Sequence, residues 1–535
     1  MLRSLRVLRN VVTNYLRYFV GGLIGFLITP FMVHALGDGD YGLWVTVFSL
    51  TGYFGLIDQG IRPSLVRYVS RAQAANDRED LARTLASALA LYTTAGLLVL
   101  AATAVAAANF GAWFKIDPSQ LDAARTTVIL AGVSLALGFP FGVYGATLSG
   151  LQRYDVANWL GIGIGILRAV LFVIALRLGG GVVELAWMSL GANLLGHLLS
   201  WIAVRRLLPG VPVTVTRVTR EHLARVGSYG GFAFIGALAT LLSFQTDALV
   251  ITAFLGAAMV TPFALAAGLV ENVRSLVYSA TFVLSPTASE METLGENDKL
   301  HAMLLAGAKY SILLSWPVLL ALVVFGENLL VTWVGAAYAT TASWAQVLTP
   351  GGPPASAAQL LTLLTLPTLL ALPQSAASSV LFGISRHKGV VFLSILNALL
   401  NLGLSIAFVK PLGLAGVALG TAIPLAVISG VITAWYAARA LDLPMRRYLW
   451  EGMFRPGLIA LTFLIPAVAA QTLWRPTGWL ALGLACFLSW LFFVAIAWRF
   501  GVSDDERRRW LRMLPGALGT GRATPAAPSP SEARP

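Results

Sequence analysis

Apolar runs long enough to cross a bilayer recur from near the first residue to residue 499, and this constrains the chain more than any other feature. A membrane helix needs about 20 mostly apolar residues. Fourteen segments meet that length: 11–36, 41–69, 83–109, 123–149, 157–178, 183–204, 228–255, 261–288, 303–326, 343–382, 389–409, 413–437, 456–473 and 478–499. The tenth contains Pro350, Pro353, Pro354, Pro367 and Pro373, so its helix should start late and kink. Charged residues make up only 11% of the chain, against about 25% in a soluble domain. The deficit is spread along the whole length. The expected fold class is therefore an all-α polytopic membrane protein without a detachable soluble domain.

The N-terminal run extends to Leu36, longer than a signal peptide core and without a clear small-residue cleavage site, which predicts a retained first helix. With the N-terminus inside, the inner side holds Arg3, Arg6, Arg9, Arg71, Arg78, Arg83, Arg153, Arg205, Arg206, Arg217, Arg220, Arg225, Arg386, Lys388, Arg439, Arg446, Arg447, Arg455 and the basic tail. The outer loops hold only Lys115, Arg125, Arg177, Lys410 and Arg475. Basic residues stay on the cytoplasmic side, so both termini are expected in the cytoplasm and the protein in the cytoplasmic (inner) membrane. The same asymmetry accounts for the net charge of +13 without a nucleic-acid partner. The expected divisions are a six-helix bundle over 1–204, a cytoplasmic linker over 205–227, a second six-helix bundle over 228–440, two further helices over 441–500, and a basic tail over 501–535. DDERRRWLRML in that tail suits an interfacial helix, and the Gly, Ala, Pro and Ser after Pro515 suit disorder.

Three pairs of segments recur in order at offsets of 219, 221 and 215 residues: those starting at Leu36 and Leu255, Asn76 and Asn297, and Phe110 and Phe325. Together they indicate a duplication. An offset of about 220 residues spans six helices, so both copies keep the same orientation: a parallel repeat about an axis along the membrane normal.

The stretches GLIDQGIRPSLVRYVSRAQAANDREDL (55–81), SYGGFAFIGALATLLSFQTDALVITAFLG (228–256) and TPFALAAGLVENVRSLVYSATFVLSPTASEME (261–292) resemble the polysaccharide flippases. These form the oligosaccharide and polysaccharide branch of the multidrug/oligosaccharidyl-lipid/polysaccharide exporter superfamily. The likeness covers roughly residues 10–440; the proline-rich stretch near 350 and the long tail depart from it. It implies twelve to fourteen helices, two six-helix bundles in a V, a central cavity, and translocation of a lipid-linked glycan.

Ionisable side chains at mid-helix are costly in lipid and usually face a cavity or a partner. On helix two, Trp44, Phe48, Thr51, Gly55, Asp58 and Arg62 share one face, and Asp58 and Arg62 can pair at i, i+4. Arg17 shares a face with Asn10, Asn14 and Gly21 but can also snorkel to the inner surface. Arg168 lies midway along helix five, and a cation there needs Asp58, Asp247, Glu271 or a substrate phosphate beside it. Glu271, Arg274 and Tyr278 form a ridge on helix eight, where the first two can neutralise each other. Asp247 lies in the outer half of helix seven and can equally serve helix packing. Ser394, Asn397, Asn401 and Ser405 make one stripe on helix eleven, suited to cavity lining or to helix glue. The candidate substrate-binding set is thus Arg17, Asp58, Arg62, Arg168, Asp247, Glu271, Arg274, Asn397 and Asn401. Gly161, Gly163 and Gly165 lack the strand and spacing of a nucleotide loop and read as close helix packing. The five histidines show no ligand spacing, Cys486 reads as an apolar packer, and no phosphate-binding loop is present. No catalytic residue, metal or cofactor is expected.

The expected function is a flippase for a polyprenyl pyrophosphate-linked glycan, working by alternating access. Lipids and other polysaccharide-assembly proteins are its expected partners. A membrane glycosyltransferase or polymerase acting on polyprenyl-linked glycans is the alternative, resting on Asp38 and Asp40 in the first outer loop, although turn chemistry explains Gly-Asp-Gly-Asp as well. Small-molecule drug export on the same fold is a third reading.

Overall fold

The computed structural model describes residues 2–211, 214–228, 238, 245–340, 342–504 and 506–508. All regular secondary structure among them is helical. The N-terminal half holds α1 (Leu2–Phe54), α2 (Leu56–Ala74), α3 (Arg78–Trp113), α4 (Leu121–Gly150), α5 (Tyr154–Arg177) and α6 (Val182–Leu207). A short α7 (Arg220–Ser228) precedes α8 (Thr246–Phe254), α9 (Val260–Thr281), α10 (Leu284–Thr293), α11 (Asn297–Val334), α12 (Ala357–Ala371) and α13 (Gln374–Gly383). Then come α14 (His387–Pro424), a π-helical stretch (Leu425–Ile432), α15 (Thr433–Ala440), α16 (Arg455–Leu461), α17 (Leu464–Leu473) and α18 (Gly478–Ile496).

Among the described residues, nine helices are long and apolar enough to cross a bilayer, and the bent pair α12–α13 makes a tenth. Two of the nine are too long for one crossing. Val12–Phe54 has 43 residues, which at 1.5 Å each gives about 65 Å, twice the ~30 Å hydrocarbon core. It breaks at Gly37, whose φ of 73° belongs to glycine. His387–Ala440 breaks likewise at Gly413, with φ 56°. The polytopic all-α class holds, while the count of fourteen stays an expectation. The pass expected at 228–255 lies largely outside the described residues, as does the tail from 509 onward.

One helix differs in detail from the sequence reading and one follows it. Helix two is interrupted at Gly55, where the backbone tightens into a Gly55 N to Gly52 O bond of 3.1 Å. Gly55 is a weak helix former, and Pro63 takes one N–H out of the ladder that follows. Helix ten behaves as its prolines require. Its main body starts at Ala357, capped by Ser356 and Gln359, and the two halves meet at 44° beside Pro373.

Small residues allow close packing in a medium where apolar burial gives little drive. A Cβ on Gly96 would lie 2.6 Å from Ala136 O, and one on Gly132 would lie 2.1 Å from Thr103 Oγ1. The linker is not a loose connection. Arg217 bonds Glu79, Arg225 Nη1 lies 3.4 Å from Asp80, and buried His222 bridges Asp80 at 3.0 Å and Thr219 at 2.6 Å. Glu79 and Asp80 occupy the first turn of α3, where the helix dipole favours acids.

The halves meet on the side of the sparsely charged loops. Trp333 Nε1 donates to Phe26 O at 2.8 Å and its ring stacks on Phe26. The Thr46 and Thr252 hydroxyls are 2.6 Å apart, Thr261 donates to Asp38 O at 2.7 Å, and Lys115 Nζ donates to Phe254 O at 2.6 Å. Tyr338 bonds the Asp38 carboxylate. Gly42 lies so close to Ala257 that a Cβ there would be 1.9 Å from its carbonyl oxygen.

Candidate functional site

Each half contains a largely apolar cavity with a set of polar side chains in its wall. In the N-terminal half, a cavity of about 470 Å³ lies between the chain at Phe48–Arg62, α3, α4 and α6. Phe48, Thr51, Gly55, Asp58 and Arg62 line it, as the shared face predicted; Trp44 does not and packs on Phe48 and Phe172 instead. Asp58 has two partners. Arg62 Nη1 lies 3.6 Å away, and Tyr92, fully buried, donates to it at 2.6 Å. Gly142 leaves space for the Tyr92 ring, 3.1 Å from where a Cβ would stand. Asn193 donates to Ser134 at 3.1 Å, and His197 stacks on Phe141. Tyr92, Asn193 and His197 escaped the sequence reading, because a lone polar residue in an apolar helix carries no periodic signal.

The cavity of the C-terminal half is larger, about 540 Å³, and is walled by α9, α13, α14 and the π-helical stretch. Glu271, Arg274, Asn397 and Asn401 all line it. Arg274 is 7% exposed, lies 3.8 Å from Glu271 and sits over the Tyr278 ring. The Ser394–Ser405 stripe does both things expected of it. Ser394, Asn397 and Asn401 face the cavity, while Asn401 and Ser405 join the two arms of α14 through Thr421 at 3.2 Å and Val417 O at 3.4 Å.

Asp247 is absent from both cavity walls and lies behind the second. It is 4% exposed, and Thr421, which does face the cavity, donates to its Oδ2 at 2.8 Å. Its Oδ1 has no hydrogen-bond partner among the described residues. A carboxyl held by one hydroxyl in such surroundings has to be neutralised, by a proton or a small cation.

The two remaining arginines lie along the α1–α5 contact. A Cβ on Gly161 would meet Arg17 Nε at 3.0 Å, and one on Gly165 would meet Ile24 at 3.8 Å. Close approach is thus seen at Gly161 alone; a Cβ at Gly165 would make only an ordinary contact, and Gly163 has open space. Arg168 follows on the same face of α5 (i, i+4, i+7 from Gly161) and is exposed, not enclosed. None of the three acids named for it is its partner. Asp58 pairs with Arg62, Asp247 bonds Thr421, and Glu271 faces Arg274. The two outer-loop acids behind the enzymatic alternative are engaged in structure: Asp38 takes the Tyr338 hydroxyl, and Asp40 accepts from Gln120 at 2.6 Å. Among the described residues, no group of three or more His, Cys, Asp or Glu side chains is arranged to hold a metal.

Residues 7–292 match the family model for polysaccharide biosynthesis proteins. An uncharacterized membrane protein of Methanocaldococcus jannaschii is 21% identical over 469 residues, covering 85% of this chain and 89% of its own. A putative O-antigen transporter of Shigella flexneri is 22% identical over 153 residues, 28% of this chain and 36% of the relative. Among solved structures, the lipid II flippase MurJ in an inward closed conformation superposes with a TM-score of 0.65 at 16% identity, over 92% of this chain and 98% of MurJ. A multidrug-resistance MATE transporter in an inward-facing conformation gives 0.63 at 18% identity, over 80% and 94%.

Proposed function

Given that the chain belongs to the polysaccharide biosynthesis protein family, we propose that it is a flippase carrying a lipid-linked oligosaccharide or polysaccharide precursor across the cytoplasmic membrane. The observation that carries this reading is the pairing of two cavities that hold polar and charged side chains with a closed seam on the side of the sparsely charged loops. A polar, anionic headgroup cannot cross about 30 Å of hydrocarbon unaided. A protein can shelter it in polar space between two rocking halves while the lipid tail stays in the bilayer. The names of the Shigella relative and of MurJ agree with such a cargo.

In this reading the basic loops are cytoplasmic, and the conformation described is open toward that side. The two halves, 1–204 and 228–440, are related by rotation about the membrane normal. Arg17, Arg62 and Arg168 grip the phosphates through charge-assisted bonds. Asp58, Glu271 and Arg274 set the local charge, and Asn397 and Asn401 present neutral polar groups. Asp247 acts through Thr421.

The test is transport of a fluorescent polyprenyl pyrophosphate-linked glycan in proteoliposomes, read beside transport of a cationic dye. Wild type should move the glycolipid. Arg168→Ala should lower that rate roughly tenfold or more, the effect of losing a charged hydrogen bond of about 1.5–3 kcal/mol. Its membrane level should stay normal, because none of the three candidate acids is left without a partner. Arg168→Lys should retain part of the activity, having charge without the planar fork. Transport of the dye but not the glycolipid would overturn the reading in favour of drug export. Normal glycolipid transport by Arg168→Ala would remove Arg168 from the site.

A further inference from the structure

Serine and threonine hydroxyls in membrane helices usually donate to the carbonyl one turn back. This chain follows the habit widely, for example at Thr147, Ser315, Thr365 and Ser489. Three serines of α13 break it. Ser375, Ser378 and Ser379 stand at i, i+3 and i+4, which places them on one face. None of the three hydroxyls has a hydrogen-bond partner among the described residues, and all three residues line the C-terminal cavity. Ser375 is 4% exposed. A buried hydroxyl without a partner costs about 1–3 kcal/mol, so helix packing gives no reason for three on one turn.

The rest of the cavity fits the same ligand chemistry. Ser394 and Asn397 stand on the α14 wall and Ser429 on the π-helical wall. Hydroxyls and amides each donate and accept, as sugar hydroxyls do. Among the described lining residues, the charged groups are Glu271 and Arg274, which lie 3.8 Å apart as an opposite pair. Exposed rings of Tyr278, Phe282 and Phe382 also border the cavity, and such rings take the apolar faces of a ligand. A volume of about 540 Å³ lies in the usual range of small-molecule sites, about 300–1,000 Å³. The N-terminal cavity also carries hydroxyls and an amide, at Thr51, Ser134, Ser189 and Asn193, but sets the charged Asp58 and Arg62 and the imidazole of His197 among them and, among the described residues, has no turn with three unpartnered serines.

From this arrangement we infer that the C-terminal cavity is a subsite for uncharged sugar rings. The α13 serines and the α14 stripe take the ring hydroxyls, and the aromatic rings take the C–H faces. The inference rests on the flippase reading and deepens it, assigning sugar to one half and leaving the phosphates to the arginines outside it.

The experiment measures binding of two lipids to the full chain in nanodiscs: undecaprenyl pyrophosphate carrying one N-acetylglucosamine, and undecaprenyl pyrophosphate without sugar. Wild type should bind the sugar-bearing lipid more tightly. Ser378→Leu, which fills the cavity, should weaken the sugar-bearing lipid at least about tenfold and the bare one less than about twofold. Ser378→Ala removes the hydroxyl without adding bulk, and should weaken the sugar-bearing lipid alone by roughly three- to tenfold. Equal loss for both lipids, no loss for either, or a wild type indifferent to the sugar would overturn the subsite. A wild type that binds neither lipid would instead overturn the flippase reading, and the subsite with it.

Discussion

The two cavities differ in their polar chemistry. The N-terminal cavity is organised around one carboxylate, Asp58, held between the Arg62 guanidinium and the buried Tyr92 hydroxyl. The C-terminal cavity is organised around neutral hydroxyls and amides, with the opposite charges of Glu271 and Arg274 paired in the wall. Duplicated bundles that share a scaffold can diverge in this way, because cavity-facing residues are not needed for packing. A charged cavity concentrates its stability in a few bonds; a neutral one spreads it over many weak ones.

The largest expected effect tests whether the halves move as units. In Gly42→Leu the side chain would stand where Ala257 O now lies, so the seam cannot close. In that background, with Cys486→Ala, a cysteine at Thr46 should be labelled from outside the cell by a membrane-impermeant maleimide. With Gly42 intact it should stay unlabelled. Labelling only in inverted vesicles would reverse the proposed orientation.

The next effect ranks the two cavities. Asp58→Ala leaves a buried phenol and an arginine without their acid and should cost about 1–3 kcal/mol. Ser394→Ala removes a hydroxyl that only bonds Val390 O on its own helix, and should cost less than about 1 kcal/mol. Denaturant unfolding in detergent measures both, and the opposite order would erase the contrast.

The smallest effect concerns the far end of the chain. Glu506 takes both Lys309 Nζ, at 2.8 and 3.0 Å, and the Tyr310 hydroxyl, at 2.9 Å. Partial burial alone would raise its pKa, but the Lys309, Ser503 and Tyr310 bonds outweigh that and lower it from 4.5 to about 2. A carboxyl depressed in this way contributes stability above its unfolded value and loses it as pH falls toward the folded one. The amide exchange rate of residues 502–508, taken relative to the intrinsic unprotected rate at each pH, should therefore be constant from pH 8 to near 5, and rise only in stronger acid. Glu506→Gln should raise it a few-fold at pH 7, as expected for a half-exposed pair. A midpoint near neutrality would show that Lys309 is not its partner.

The sequence was most readable where periodicity and cost point the same way. The apolar spans, the late kinked tenth helix, the Asp58–Arg62 face and the Ser394–Ser405 stripe all follow from spacing. What it hid was long-range pairing. Nothing near Asp58 announces Tyr92, 34 residues away, and nothing near Asp80 announces His222, 142 residues away. Depth along a helix also gives no rotation about its axis, so Arg168 was expected to be enclosed and is exposed. The α13 serines were passed over because small polar residues in an apolar helix usually satisfy themselves.

The seam itself has a consequence for the environment in which the protein works. Among the described residues no cation–anion pair crosses it: hydroxyls, backbone carbonyls and stacked rings close it, and its two charged members, Lys115 and Asp38, each bond a neutral group. The ion pairs gather at the opposite face, at Glu79, Asp80 and Lys309. Ionic contacts weaken as salt rises, whereas neutral hydrogen bonds and ring stacking scarcely respond. In the proposed orientation, the face turned to the outside world is fastened, among the described residues, without ion pairs. The salt-sensitive ones sit where the cell itself sets the ion content.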